Sequence, residues 1–500
     1  MNKKLLSALI TALCATSVAQ ASLTSGQLIA IGTLDQTSAG LNTDLSGLTG
    51  TLENGVAANF LGGLGSGFAY AGGNTFIATP DRGPNALSYA SSVDDTTSYI
   101  ARFHTLTLDL TKNNSNTGLA YNLTPTLTAT TLLSSSTALN YGSGAGLTTN
   151  NGAALGSGVP ALNATNNTYY FTGRSDGFGS ANPITGTPDS TSANPSNARF
   201  DPEGVRVSND GKYVFVSDEY GPYINQFDRA TGQLLKSFAL PANLAVANES
   251  PQGKKEEAPT ATNTPGNTTG RVDNKGIEGL AITPDGKTLV GIVQAPLLQD
   301  KKANGNVRIV TVDIATGTTH EYAYHLTTGT GVSEIVAVND HEFLVDERDG
   351  NGLGGGGSAN VKQLFKIDLT GATDVTNLGN SAADQAALSS AAVGKSLFLD
   401  VAQTLADNGL SRTTDIPSKI EGVAFGQDIN DGGLLYHTLF VTNDNDFDPA
   451  NAGANKFYVF AIADSALNFQ AQQIAAVPVP AAVWFFVTGL MGLVRSARKK

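Results

Sequence analysis

Apolar and polar residues alternate with a period of two through much of this chain, the pattern of half-buried β-strands. Arg102 to Leu110 alternates strictly. Phe68 to Tyr70 and Thr75 to Thr79 flank the turn Gly72-Gly73-Asn74, and Gln27 to Thr33 is a further candidate strand. From Phe200 the punctuation becomes regular. Val205 to Val207, the turn Asn209-Asp210-Gly211 and Tyr213 to Ser217 read as a hairpin. Tyr223 to Asp228 and Gln233 to Phe238 complete four strands around Ala230-Thr231-Gly232. Similar groups follow from Leu280 to Tyr324, Ile335 to Asp368 and Val423 to Ile462.

One phrase introduces each of these groups. It reads Asp201-Pro202-Glu203-Gly204-Val205, Gly276-Ile277-Glu278-Gly279-Leu280, Val332-Ser333-Glu334-Ile335-Val336 and Lys419-Ile420-Glu421-Gly422-Val423. A phrase that returns every ~55 to 90 residues marks a repeat fold, each copy one supersecondary unit. Four antiparallel strands per unit, repeated radially, predict an all-β β-propeller. Five blades can be counted, and six or seven four-stranded blades are expected. The missing strands are sought in residues 22–60 and 112–198. The Ser/Thr/Asn/Gly-rich stretch 112–198 and residues 242–274 read as loop-rich insertions in a propeller domain spanning 22–475.

Composition agrees with many short strands and turns. The chain has 500 residues with 56 glycines, and only 15% are charged. Its formal charge of −13 argues against nucleic acid and anionic lipid surfaces as partners. Both ends read as processing signals. Residues 1–21 join a basic start, an apolar stretch and Ala19-Gln20-Ala21 as a signal-peptidase site. The one cysteine, Cys14, lies inside this leader, so no disulfide is expected in the mature chain. Residues 477–500 hold Val477-Pro478-Val479-Pro480-Ala481, a short apolar run and a basic end. This order resembles the PEP-CTERM sorting signal of exported Gram-negative proteins, with Val479 in place of the usual glutamate. The resemblance implies an exosortase-type processing enzyme and a membrane contact only through that short transmembrane segment. An ordinary C-terminal anchor is the alternative. Loss of two basic residues from the leader and four from the tail moves the charge from −13 to about −19.

In a blade, the start of the innermost strand and the end of the second meet at one rim. Glu203 is therefore expected near Asp218 and Glu219, and Glu334 near Asp346, Glu347 and Arg348. Glu421 is expected near Asp444 and Asp446, and Gly67, taken as the matching position of the first blade, near Asp81 and Arg82. Two readings of the glutamates stand open. They accept backbone hydrogen bonds from the neighbouring blade, or they work at a site. As a site, Glu203, Glu278, Glu334 and Glu421 act in catalysis with Arg82 and Arg348 on phosphate oxygens. Asp81, Asp218, Glu219, Asp346, Glu347, Asp444 and Asp446 then hold a hard cation such as Ca2+. Gly173-Arg174-Ser175-Asp176-Gly177 fits the nucleophile-elbow pattern, but no good helix follows Ser175. The histidines His104, His320, His325, His341 and His437 show no metal-ligand spacing.

Several blocks together resemble the phytase-like esterase family of secreted bacterial propellers. They are Pro80-Asp81-Arg82-Gly83-Pro84-Asn85, Asp201 to Arg206, Ser217-Asp218-Glu219-Tyr220-Gly221-Pro222, Gly276 to Ala281, Glu334 to Ala337, Phe343 to Asp349 and Lys419 to Val423. The resemblance covers roughly residues 60–465. It implies a propeller with phosphoester or carboxylester hydrolase activity. The leading expectation is an exported phosphomonoesterase, phytate-like substrates included, with Ca2+ at the channel mouth. The alternative is a non-catalytic propeller that binds a surface glycan or a protein partner.

Overall fold

A computed structural model describes residues 23–34, 42–84, 97–115, 117–141, 149–153, 158–174, 191–249, 266–300, 305–327 and 329–475. The leader, the C-terminal segment 477–500 and Ser175 lie outside these residues. No described helix is long and apolar enough to cross a membrane.

Five antiparallel blades surround one axis, four of them four-stranded and the last with a short fifth strand, Ile429–Asp431, beside its second. Blade I uses Gly67–Tyr70, Thr75–Thr79, Arg102–Lys112 and Tyr121–Leu132. Blade II uses Pro202–Val207, Tyr213–Asp218, Tyr223–Asp228 and Leu234–Ala239. Blade III uses Ile277–Ile282, Thr288–Val293, Asn306–Asp313 and Thr319–His325, and blade IV Gly331–Ala337, Glu342–Arg348, Lys362–Asp368 and Lys395–Asp400. Blade V takes Ile420–Phe425, Leu434–Asn443 and Lys456–Ala463 from the end of the chain, and its outermost strand, Gln27–Thr33, from the start.

The ring closes with five blades, which corrects the expectation of six or seven. The inner strand of blade I packs on those of blades II and V, so no gap remains for another blade. The two regions expected to hide more blades instead supply outermost strands. Gln27–Thr33 completes blade V, and Tyr121–Leu132 completes blade I. The second was masked by its composition, because an outermost strand with alternate residues exposed needs no continuous apolar side.

Apolar alternation builds the ring. Each blade is covered on both faces, so successive residues of one strand enter different interfaces. Val214 and Val216 pack with blade I against Ile77 and Phe103, whereas Phe215 between them packs with blade III against Leu280 and Val310. Five large apolar clusters correspond to five interfaces. Each fully buried Val, Leu or Phe contributes about 1.5–3 kcal/mol.

The glycine of the repeated phrase answers to close approach at the axis. A Cβ on Gly204 would lie 2.4 Å from Leu280 of blade III, and one on Gly279 2.7 Å from Ile335 N of blade IV. Gly67 plays this part in blade I, its missing Cβ 2.0 Å from Glu203 O. Ser66, not Gly67, therefore stands at the glutamate position there.

At the end of the channel where the inner strands finish, the chain beyond blade V runs across as a strap. Gln470 N donates to Val338 O at 2.8 Å, Gln472 Nε2 to Val207 O at 2.7 Å, and Ala475 N to Asn209 O at 2.8 Å. Phe469 lies on Phe425, ring centroids 4.3 Å apart. A cavity of ≈ 70 Å³ remains beneath the strap.

Candidate active site at the acidic mouth

The opposite end of the channel is open and polar. All four glutamates of the phrase stand at register shifts, between Pro202 and Val205, Ile277 and Gly279, Val332 and Glu334, and Ile420 and Val423. Blade I lacks the glutamate and pairs without a shift there. A bulge breaks strict alternation and re-aims a side chain. Here it turns the glutamates away from the apolar interfaces toward the axis.

Three of the four then share one cavity of ≈ 210 Å³. Glu203, Glu278 and Glu421 line it with Asp81, Glu219 and Asp444. Its cationic lining is Arg82, Lys275, Arg348 and Lys419. Arg82 donates from its backbone N to Asp201 Oδ1 at 2.8 Å and from its guanidinium to Asp201 Oδ2 at 3.0 Å and Asn274 Oδ1 at 2.7 Å. Arg348 donates to Glu421 Oε1 and, at 2.7 Å, to Ser333 Oγ. Gln294 Nε2 donates to Glu278 Oε1 at 2.6 Å, and Lys275 to Gln294 at 3.1 Å. Lys419 Nζ bonds Asp444 Oδ2 at 2.8 Å and also Asp446.

Glu334 is placed otherwise. Its Oε1 accepts from Leu280 N of blade III and from Ile335 N, both at 2.9 Å. Its Oε2 lies 3.1 Å from Arg206, whose guanidinium also binds the carbonyls of Phe68 and Ile335. This is the blade-to-blade strut that one reading of the sequence allowed. Asp346 faces Glu334 in register, 1% exposed, with neither carboxylate oxygen hydrogen-bonded. Glu347 points into a separate network with Tyr324, Thr327 and Lys395. Asp218 caps a turn, its Oδ1 taking Asp201 N at 3.0 Å and Tyr220 N at 3.1 Å.

Burial and like charge raise the mouth carboxyls. Glu203 is pushed well above the usual range by burial, then by Glu278, Asp201 and Glu219. Glu278 is raised by burial, Glu219 and Glu421, and Glu219 by burial and Asp201 to about 8. Burial also lifts Asp81, and brings Asp218 and Asp444 to about 7. Burial works to lower Lys419, but Asp444, Glu421 and Asp446 hold it well above its ordinary value. Perturbed carboxyls concentrated in one cleft mark it as the candidate site. Backbone strain gathers here too. The described non-glycine residues with positive φ are Asn167, Asn274, Asp446 and Phe447, and Asn274 and Asp446 hold mouth cations.

Asp201, Asn274, Lys275, Gln294 and Lys419 join the site without being singled out by the sequence. Asp201 and Lys419 flank the phrase in Asp-Pro-Glu-Gly and Lys-Ile-Glu-Gly, which was their available signal. Asn274 belongs to the stretch read as an insertion, and nothing local separates it from other turn asparagines.

The donor set is all oxygen on the acidic side, which fits a hard cation. One oxygen each from Asp201, Glu203 and Glu219 lie within 4.8 Å of one another, as do those of Asp81, Asp444 and Asp446.

A family model described as "Phytase-like: Esterase-like activity of phytase" matches residues 59–447. The chain belongs to this phytase-like family. All the mouth residues named above lie inside the matched span. This phytase-like chain is also 31% identical over 228 residues to an "Uncharacterized secreted protein" of Arthroderma benhamiae. That match covers 39% of this chain and 43% of the relative, so the chain spans less than half of that relative's length. Among solved structures it is similar to the periplasmic gluconolactonase of Pseudomonas aeruginosa, at 11% identity and TM-score 0.30 over 79% of this chain and 88% of that one. It is likewise similar to the PQQ-bound aldose sugar dehydrogenase of Streptomyces coelicolor, at 9% identity and TM-score 0.29 over 84% of each. Likeness at that level carries no functional weight.

Proposed function

We propose that the protein is an exported phytase-like esterase that hydrolyses phosphomonoesters, phytate among the candidates, at the acidic mouth with a hard cation such as Ca2+. The observation that carries this reading is the company of Glu203, Glu219 and Glu278 with Arg82 and Arg348 in one cavity of ≈ 210 Å³. That space suits a single phosphoryl group and its immediate surroundings.

A bound cation there would polarise a phosphoryl oxygen and lower the pKa of water. Asp201, Glu203 and Glu219 are the residues that would hold it. Arg348, steadied by Glu421 and Ser333, is placed to bind phosphate oxygens through its remaining N–H groups. Glu278 keeps its proton to unusually high pH and is suited to deliver it to a leaving alkoxide.

Export is supported by the leader pattern and the secreted relative. Passage through signal peptidase, and through an exosortase-type enzyme acting on residues 477–500, belongs to the same proposal, with membrane contact confined to that segment.

Turnover of phytate and p-nitrophenyl phosphate, measured with calcium and with chelator, tests the reading. No hydrolysis in either condition ends it. A non-catalytic propeller that takes a surface glycan is favoured by a different observation. Arg82, Arg348 and Lys419 each already bind a carboxylate. Glycan capture that persists in Glu203→Gln plus Glu421→Gln, with no turnover in the parent chain, would select it.

A further inference from the structure

The two acidic triads of the mouth look alike as sets of ligands and differ in what already fills them. In the first, the ammonium of Lys419 stands 2.8 Å from Asp444 Oδ2 and also bonds Asp446. Two further oxygens of that triad accept backbone N–H groups. Asp444 Oδ1 accepts Asp446 N at 2.7 Å, and Asp81 Oδ1 accepts Gly83 N at 3.0 Å. The phrase Lys-Ile-Glu-Gly brings this lysine in, at the place where blade II carries Asp-Pro-Glu-Gly. One blade supplies a cation to the rim, and another supplies an anion.

The second triad is filled at one member only. Asp201 is tied to Arg82, but Glu219 is 2% exposed and both its carboxylate oxygens are buried without a hydrogen-bond partner among the described residues. Glu278 Oε2 across the cavity is likewise buried and unpartnered. A buried carboxylate without donors is costly, and a chain that keeps one has either a proton or a cation for it. Glu219 stands within reach of two further carboxylates. A proton satisfies one oxygen of one carboxyl, whereas a divalent cation meets oxygens of several carboxylates at once.

We propose that the mouth holds one divalent cation, not two, bound by Asp201, Glu203 and Glu219, and that Lys419 permanently fills the other triad. This rests on the mouth being the working site, and it fixes the metal stoichiometry there. The lysine also pins Asp444 and Asp446, so the second triad is a built-in counterion pair and takes no part in metal exchange.

Calorimetric titration of the full chain with calcium chloride tests this. One ion per chain is expected. Glu219→Gln is expected to weaken binding at least tenfold, and Lys419→Met to raise the stoichiometry to two. Asp444→Asn combined with Asp446→Asn is expected to leave one ion bound with its affinity within about threefold. That double variant decides the matter if Lys419→Met does not fold. Two ions or none on the parent chain, one ion on folded Lys419→Met, or loss of binding in the double variant overturns the proposal. The outcome is separable from hydrolysis. One bound calcium with no ester turnover removes the hydrolase and keeps the site. Turnover in chelator with no bound calcium does the reverse.

Discussion

Glu203 and Glu334 occupy the same step of two blades, each at a bulge in an inner strand, and their surroundings are opposite. Glu334 is wired on both oxygens, to two backbone amides and to Arg206. Glu203 has no hydrogen-bond donor among the described residues and faces Asp201, Glu219 and Glu278. The difference begins with the neighbours. Blade II carries Arg206 within the channel, where it reaches Glu334 of blade IV. Blade IV offers Arg348 at the rim, and this arginine turns to Glu421 and Glu278 instead of Glu203. A repeated residue thus takes its role from the one or two cations its blade-mates provide.

The sharpest way to break this contrast is to remove the strut. Glu334→Gln leaves Arg206 without its partner in the interior, and such losses run to about 3–5 kcal/mol. Chemical denaturation should show a loss of that order, with calcium affinity of the folded protein unchanged. A loss under ~1 kcal/mol would return Glu334 to the status of an ordinary polar residue. Glu203→Gln should do the opposite. Stability in chelator is expected to hold or rise slightly, because repulsion is relieved, while the calcium-induced rise in melting temperature disappears. Phosphomonoester turnover should fall by about 100-fold or more. Equal destabilisation by both variants would erase the distinction.

A smaller effect tests the axis on which both glutamates depend. Gly279→Ala places a methyl against the Ile335 amide of blade IV and should cost about 1–3 kcal/mol. The same change at Gly317, in an outer turn with positive φ and open space around it, tests backbone conformation alone. Melting curves of the two variants separate crowding from conformation.

The mildest probe is pH. Glu219, at about 8, and Asp218 and Asp444, at about 7, keep protons in the folded chain that the unfolded chain loses near pH ~4. Their contribution to stability is complete below that range and is lost as pH rises through 7 to 8. In chelator the melting temperature should therefore fall between pH 5 and 8.5, and calcium should reverse the fall at the upper end. A melting temperature that rises with pH in chelator would contradict the raised carboxyls.

Much of this was legible in the sequence, and for a physical reason. Inner and second strands bury both faces, so Tyr213 to Ser217 or Thr288 to Val293 stand out as short, near-continuous apolar runs between turns. Outermost strands do not. Tyr121–Leu132 is threonine-rich and contains Pro125, so it reads as loop, and Lys395–Asp400, with exposed Leu397, gives no strand signal. Blade count was the casualty. Blade V is assembled from both ends of the chain, and no local pattern announces that Gln27–Thr33 pairs with Lys456–Ala463. For the site, the repeated glutamates pointed to the rim where three of them now line one cavity. The sequence could not separate Glu334 from its counterparts, because that depends on Arg206, which lies 128 positions earlier in the chain. Asn274 and Gln294 were invisible for the same reason.

The pairing of Gln27–Thr33 with Lys456–Ala463 also sets an order of events. A chain made from its N-terminus folds its early parts first. Here the first strand has no edge to join until the last blade exists. Through nearly the whole of synthesis it is a spare strand, and blade V is the only blade that cannot be finished locally. Ring closure therefore pairs strands from opposite ends of the chain, a contact of high sequence separation of the kind that slows folding. The seam is also where a partly made chain is exposed to wrong pairing, since an unpaired edge invites any strand that passes.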